Sequence, residues 1–192
     1  MPKIISEEKI FRAVLKVISE KSYIGASTKQ MAEEAGVSEI TLFRKYGTKA
    51  GIVKTAVKYM VDINKIAFEI RYTGNLNADL IRVVDIFRDM INKNIHFMIV
   101  LFSDLPRVEE LRDVLELPGS ITESFGEMIK EYHNEGFLFE EHPRQTMSAL
   151  IGPLIYDRIL SGVMNKNISN QMESREYVKL FLTGRKKKVI RI

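Results

Sequence analysis

The sequence predicts an all-α protein: an amino-terminal three-helix domain built round a helix-turn-helix, followed by a larger helical domain. Three observations carry this. Apolar residues recur at helical spacing along most of the chain, no stretch alternates with period two, and Ser27 to Lys49 sets capping residues and a glycine where two short helices would meet. In order, Ile10, Ala13, Val14, Val17 and Ile18 form the apolar stripe of a first helix near Glu7 to Ser22. Ser27 and Gln30 have the form of a capping box, and Met31, Ala32 and Ala35 give the next helix one apolar side. Gly36 ends it, because so tight a turn requires a residue free to take positive φ. Ser38 caps the third helix, whose Leu42 and Tyr46 plug the core with Val37.

Gly47 and Thr48 restart the chain. Ile52, Val53, Ala56, Val57, Met60, Ile63, Ile66, Ala67 and Ile70 then predict one helix from Lys49 to about Arg71, roughly 35 Å long at 1.5 Å per residue. Thr73, Gly74 and Asn75 break it, and Ala78 to Lys93 reads as a further amphipathic helix. The apolar run Ile95 to Phe102 is assigned to helix, since a lone strand would leave its backbone groups unpaired. Pro106 and Pro118 punctuate the middle, and Ile121 to Asn134 forms a helix ended by Gly136. Arg144 to Met164 is apolar over a broad arc, with Gly152 and Pro153 expected to kink it. Such a helix needs partners on two faces: its own core, and either a deeper core or a second subunit. These elements divide into domains at 1–48 and 49–192.

Composition excludes several classes. The 192 residues are 45% hydrophobic and 28% charged, ordinary for a globular protein, and no apolar run is long enough for a membrane span. With no secretory pattern at the amino terminus, a cytoplasmic protein is expected. The absence of cysteine removes disulfides, thiol catalysis and thiolate metal sites. Net charge is unevenly spread: +5 over residues 1–60, −6 over 61–183 and +5 over 184–192. A basic first domain on an acidic body suits a nucleic-acid reader joined to something that does not touch nucleic acid. The final GRKKKVIRI is read as a solvated terminus.

The third helix carries the functional signal. With Leu42 and Tyr46 inward, Glu39, Ile40, Phe43 and Arg44 point elsewhere. A large aliphatic and an aromatic residue turned outward find cover in the major groove of double-stranded DNA, against thymine methyls and sugars. Arg44 suits guanine O6 and N7, Glu39 a cytosine amino group, and Thr41 either. Base reading is therefore assigned to Glu39, Ile40, Thr41, Phe43 and Arg44. Thr28, Ser38, Lys45 and Lys49 suit phosphate and set register.

The stretch TKQMAEEAGVSEITLFRKYGTKAGI resembles the DNA-binding signature of the TetR family of one-component regulators, with Gly36, Val37, Ser38, Thr41, Leu42, Arg44 and Lys49 in the expected places. The resemblance runs from the first helix to about Met60; beyond it, length and helical layout match. It implies a homodimeric repressor with a ligand-binding and dimerisation domain after residue 48, the last two long helices of each subunit forming the interface. Leu150, Ile151, Leu154, Ile155, Tyr177 and Phe181 are the residues expected there. Three departures stand out. The family usually has Tyr where this chain has Phe43, often His at Lys45, and a small residue at Ile40, which together imply a distinct operator.

Candidate chemistry elsewhere is sparse. The histidines are His96, His133 and His142, with no HExxH, nucleophile elbow or phosphate loop, so neither enzyme activity nor a metal or cofactor is expected. A small hydrophobic or aromatic effector fits the nine methionines and ten phenylalanines. Its pocket is placed among Phe87, Met90, Phe97, Phe102, Phe125, Met128, Tyr132 and Tyr156, with His96 as an orienting polar group. The reading that follows is a repressor released from a palindromic operator by that effector. The alternative is a small-molecule carrier with a vestigial helix-turn-helix.

Overall fold

A computed structural model describes residues 6–63, 66–112, 119–164 and 172–184. All elements among them are helical: α1 Glu7–Gly25, α2 Thr28–Ala35, α3 Glu39–Tyr46, α4 Lys49–Ile63, α5 Ile66–Glu69, α6 Leu76–Asp104, a 3₁₀ turn Glu109–Leu111, α7 Gly119–Asn134, α8 Pro143–Val163 and α9 Ser174–Thr183. None of these helices is long and apolar enough to cross a membrane. The basic tail 185–192 and Pro118 lie outside the described residues.

Local sequence accounts for the first helices. The Ser27 side chain accepts from the Gln30 N–H and the Gln30 side chain accepts from the Ser27 N–H, the reciprocal box that satisfies two otherwise unpaired donors. Gly36 takes φ 73° and its N–H closes α2 on Ala32 and Glu33. Ser38 caps α3 through the Thr41 N–H. Gly51 is needed for a different reason: a Cβ there would lie 2.3 Å from the Tyr46 carbonyl oxygen, so only glycine lets α4 pass the end of α3.

Two compact units result, residues 1–64 with 94–118 and residues 65–93 with 119–192. The core of the first joins Val14, Ile18, Met31, Leu42, Ile52 and Val53, all fully buried, to Phe97 and Leu101 of α6 and to Leu111. Burying each large aliphatic side chain contributes about 1.5–3 kcal/mol. Val37 and Tyr46 pack partly buried against this core, the latter on the ring of Phe11 at 5.4 Å.

Within the same unit α1 is broken at Ser22, whose φ of 65° and ψ of 166° fall in a region that side chains other than hydrogen seldom enter. The buried Asp104 holds the turn that follows: one carboxylate oxygen accepts from the Tyr23 N–H at 2.7 Å and the Ile24 N–H at 3.2 Å. The Tyr23 hydroxyl donates to Glu110.

The second unit is pinned at Asp79, fully buried on α6. Its carboxylate accepts from the Thr73 N–H and hydroxyl at 2.7 and 2.6 Å, the Tyr132 hydroxyl at 2.5 Å and the Arg82 guanidinium at 2.7 Å. Arg82 also donates to the carbonyls of Glu69 and Arg71, which ties down the extended segment after α5.

The helix expected from Lys49 to Arg71 is described over α4 and α5, residues 64 and 65 between them lying outside the described residues, and it ends just short of the expected bound, before Ile70. Ala78 to Lys93 and the Ile95 run are one helix, since neither glycine nor proline separates them. α8 runs through Gly152 and Pro153 as a single element.

Candidate nucleic-acid interface

The outward face of α3 is as its spacing predicts. Leu42 is fully buried, whereas Ile40 is 77% and Phe43 45% exposed. Arg44 is exposed too, with no ion pair or hydrogen bond among the described residues. Two apolar side chains in water beside a free guanidinium form a surface whose apolar and hydrogen-bonding capacity is unused within the subunit. Thr41 is half-buried and its hydroxyl is 2.8 Å from that of Ser38, so both hydroxyls are engaged at the start of the helix.

Around this face, the residues assigned to phosphate divide. The Thr28 hydroxyl donates to Glu39 at 2.5 Å, which joins the amino-terminal turns of α2 and α3. Lys45 is exposed and pairs with Glu7 at 2.5 Å. Lys49 is half-buried with its ammonium 4.4 Å from the centre of the Tyr23 ring. Burial holds its pKa below the ordinary lysine value, while the nearby Glu110 and Asp104 carboxylates oppose that shift. Lys29, to which sequence pattern assigns no role, is exposed beside Thr28 and has no ion pair among the described residues. Its position after the α2 cap was the available signal.

The predicted pocket residues are not one cluster. Phe87, Met90, Phe125, Met128 and Tyr132 are buried in the second unit, but Phe97 belongs to the core of the first. His96 is exposed, as are Phe102 and Tyr156, so these three do not line an interior wall. His96 follows from the helical register: Ile95 and Phe97 take the inward positions of α6 and leave it outside.

The residues expected at the interface divide by burial within the single chain. Leu150, Ile151, Leu154 and Phe181 are buried in their own unit, and Ile155 and Tyr177 are half-buried. The Tyr177 hydroxyl donates to the Leu150 carbonyl at 2.6 Å, a contact within the subunit. The apolar side chains left outward on α8 and α9 are Tyr156 at 69%, Val163 and Leu180. An arc apolar on two sides does not reveal from sequence which side meets its own core.

Comparison with known proteins places this geometry. Residues 10–56 match the family described as bacterial regulatory proteins, tetR family. The HTH-type transcriptional regulator YvkB of Bacillus subtilis (strain 168) is 23% identical over 175 residues, 86% of this chain and 92% of that protein. Among solved structures, FadR from Bacillus subtilis in complex with stearoyl-CoA aligns with a TM-score of 0.70 at 15% identity, covering 93% of this chain and 96% of that one. The fatty acid degradation regulator FadR from Bacillus halodurans aligns at 0.68 and 18%, covering 92% of each. At these identities the structural matches establish a shared fold.

Proposed function

We propose, from the premise that this chain belongs to the TetR family of bacterial regulatory proteins, that it is a homodimeric repressor which an effector releases from a palindromic operator. The observation that carries the reading is the α3 surface: Ile40 and Phe43 uncovered beside an unpaired Arg44. In the major groove the two apolar side chains meet thymine methyls and sugars, and the guanidinium forks onto guanine. Glu39 and Thr41 complete the base contacts, while Thr28, Ser38, Lys45 and Lys49 lie round them as the polar rim.

A second copy places a second reading helix one DNA turn away, about 34 Å. Tyr156, Val163 and Leu180 supply the apolar surface for pairing, since the residues inside them already serve their own core. Effector binding alters the separation of the reading helices. A coupling of about 1–3 kcal/mol lowers operator affinity roughly 5- to 150-fold, enough to free a promoter. Support for an apolar effector comes from the buried aromatic and methionine residues of the second unit and from the stearoyl-CoA bound by the Bacillus subtilis FadR.

Selection of bound sequences from random duplex DNA tests the proposal. Two inverted half-sites about one helical turn apart are expected. Retention that is weak, blind to sequence and abolished by moderate salt would overturn it.

A further inference from the structure

Two polar side chains on the inward side of α8 have no hydrogen-bond partner among the described residues. Leu150, Leu154 and Arg158 follow at intervals of four and Ser161 comes three residues later, so the four share one side of the helix. Leu150 and Leu154 are buried in the second unit, which gives the direction that side faces. Ser161 is 6% exposed and its hydroxyl is unpartnered; the Nε of the half-buried Arg158 is shielded from solvent and equally unpartnered. No carboxylate pairs with Arg158 among the described residues.

The other half-buried arginines of this unit are accounted for. Arg82 binds Asp79 and two carbonyls, and Arg88 binds the Ser174 hydroxyl and lies over the Tyr177 ring at 5.5 Å. A guanidinium cannot escape burial by losing its proton, and a desolvated donor without an acceptor is costly. Arg158 and Ser161 thus offer two donors and a fixed positive charge at the end of a side that is otherwise lined by leucine.

We propose that Arg158 and Ser161 form the head-group site for an effector with one anionic group on an apolar tail. Arg158 Nε and the Ser161 hydroxyl donate to the anion, and the tail runs along Leu154 and Leu150. This rests on the reading of the chain as an effector-responsive regulator and narrows the effector from apolar molecules at large to amphiphilic anions. A neutral molecule of the same length leaves both donors unpaired, and that difference is the source of selectivity.

Calorimetric titration of the full chain with decanoate, decyl phosphate and 1-decanol tests it, alongside a gel shift on duplex DNA. At least one anion should bind about tenfold or more tightly than the alcohol, and the better of the two identifies the head group as carboxylate or phosphate. Arg158→Met should bring anion and alcohol within about twofold of each other while alcohol binding persists, and Arg158→Lys should restore part of the preference. Ser161→Ala, which removes a single hydroxyl, should weaken the anion alone. Equal binding of anions and alcohol by the unaltered protein, a preference that survives Arg158→Met, or no binding of any of the three overturns the head-group site. Loss of sequence-specific retention in the gel shift would instead count against the regulator reading and leave the titration result standing.

Discussion

The Thr28 hydroxyl lies 2.5 Å from a carboxylate oxygen of Glu39, so the first turn of α2 holds the first side chain of α3, one that we propose reads bases. That bond occupies one carboxylate oxygen and leaves the other to accept from an amino group, on cytosine N4 or adenine N6. Thr28→Val should therefore weaken base preference at one position of the operator, by about 1 kcal/mol, with the salt slope unchanged. Selection from random duplexes and a salt titration measure the two effects. A loss shared equally by every duplex, with no change in preference at any single operator position, would show that Thr28 binds phosphate instead.

Arg44 and Lys49 differ in how they are held, and their removal should differ accordingly. Arg44→Ala is expected to cost about 1–3 kcal/mol on the selected operator and much less on unrelated duplex. Lys49→Ala is expected to weaken both and to lower the salt slope. Gel shifts at two salt concentrations decide the matter, and equal losses on every duplex for both variants would refute the assignment of roles.

Acid should loosen the second unit through Asp79. Burial pushes its pKa up, but the hydrogen bonds from Thr73, Tyr132 and Arg82 outweigh burial and hold the carboxyl below its ordinary value. A folded value below the unfolded one gives stability that is complete above about pH 4 and is lost as pH falls through the folded value. Asp79→Asn should cost about 3 kcal/mol near neutrality, because it leaves Arg82 facing an uncharged partner, and should flatten the acid limb of a denaturant-measured stability curve. An unchanged acid limb in the variant would assign the acid response to other groups.

Ser22 offers a stabilising change. Glycine accepts its φ and ψ freely, so Ser22→Gly should relieve about 1 kcal/mol net of the lost bond from the Gly25 N–H to the Ser22 hydroxyl oxygen at 3.1 Å. Thermal unfolding should show Tm higher by about 2–4 °C. A fall in Tm would mean that the hydroxyl bond outweighs the backbone strain.

Leu180→Glu places a charge on the outward face of α9 and should shift the protein toward monomer in sedimentation at micromolar concentration. Unchanged mass would remove Leu180 from the pairing surface.

The helix-turn-helix was legible because short-range chemistry specifies it. Ser27 and Gln30, Gly36 and Ser38 act within four residues of themselves, and the inward Leu42 and outward Ile40 follow from helical period alone. What escaped the sequence depends on distant partners. Nothing near Asp104 announces that it accepts from the backbone of Tyr23, nor does the register of α6 reveal that Phe97 enters the first core and His96 remains outside. The double-sided apolar arc of α8 concealed which residues fill its own interior, and the unpaired Arg158 is visible only once neighbouring side chains have found their partners.

Because Asp104 grips Tyr23 and because Phe97, Leu101 and Leu111 complete the packing round Val14 and Met31, the reading head is stitched from two separate stretches of the gene product. Transplanting it onto another sensor by a single cut after residue 48 or 64 would carry the recognition helix away from part of its foundation. A working chimaera needs residues 94–112 as well, inserted as a second graft.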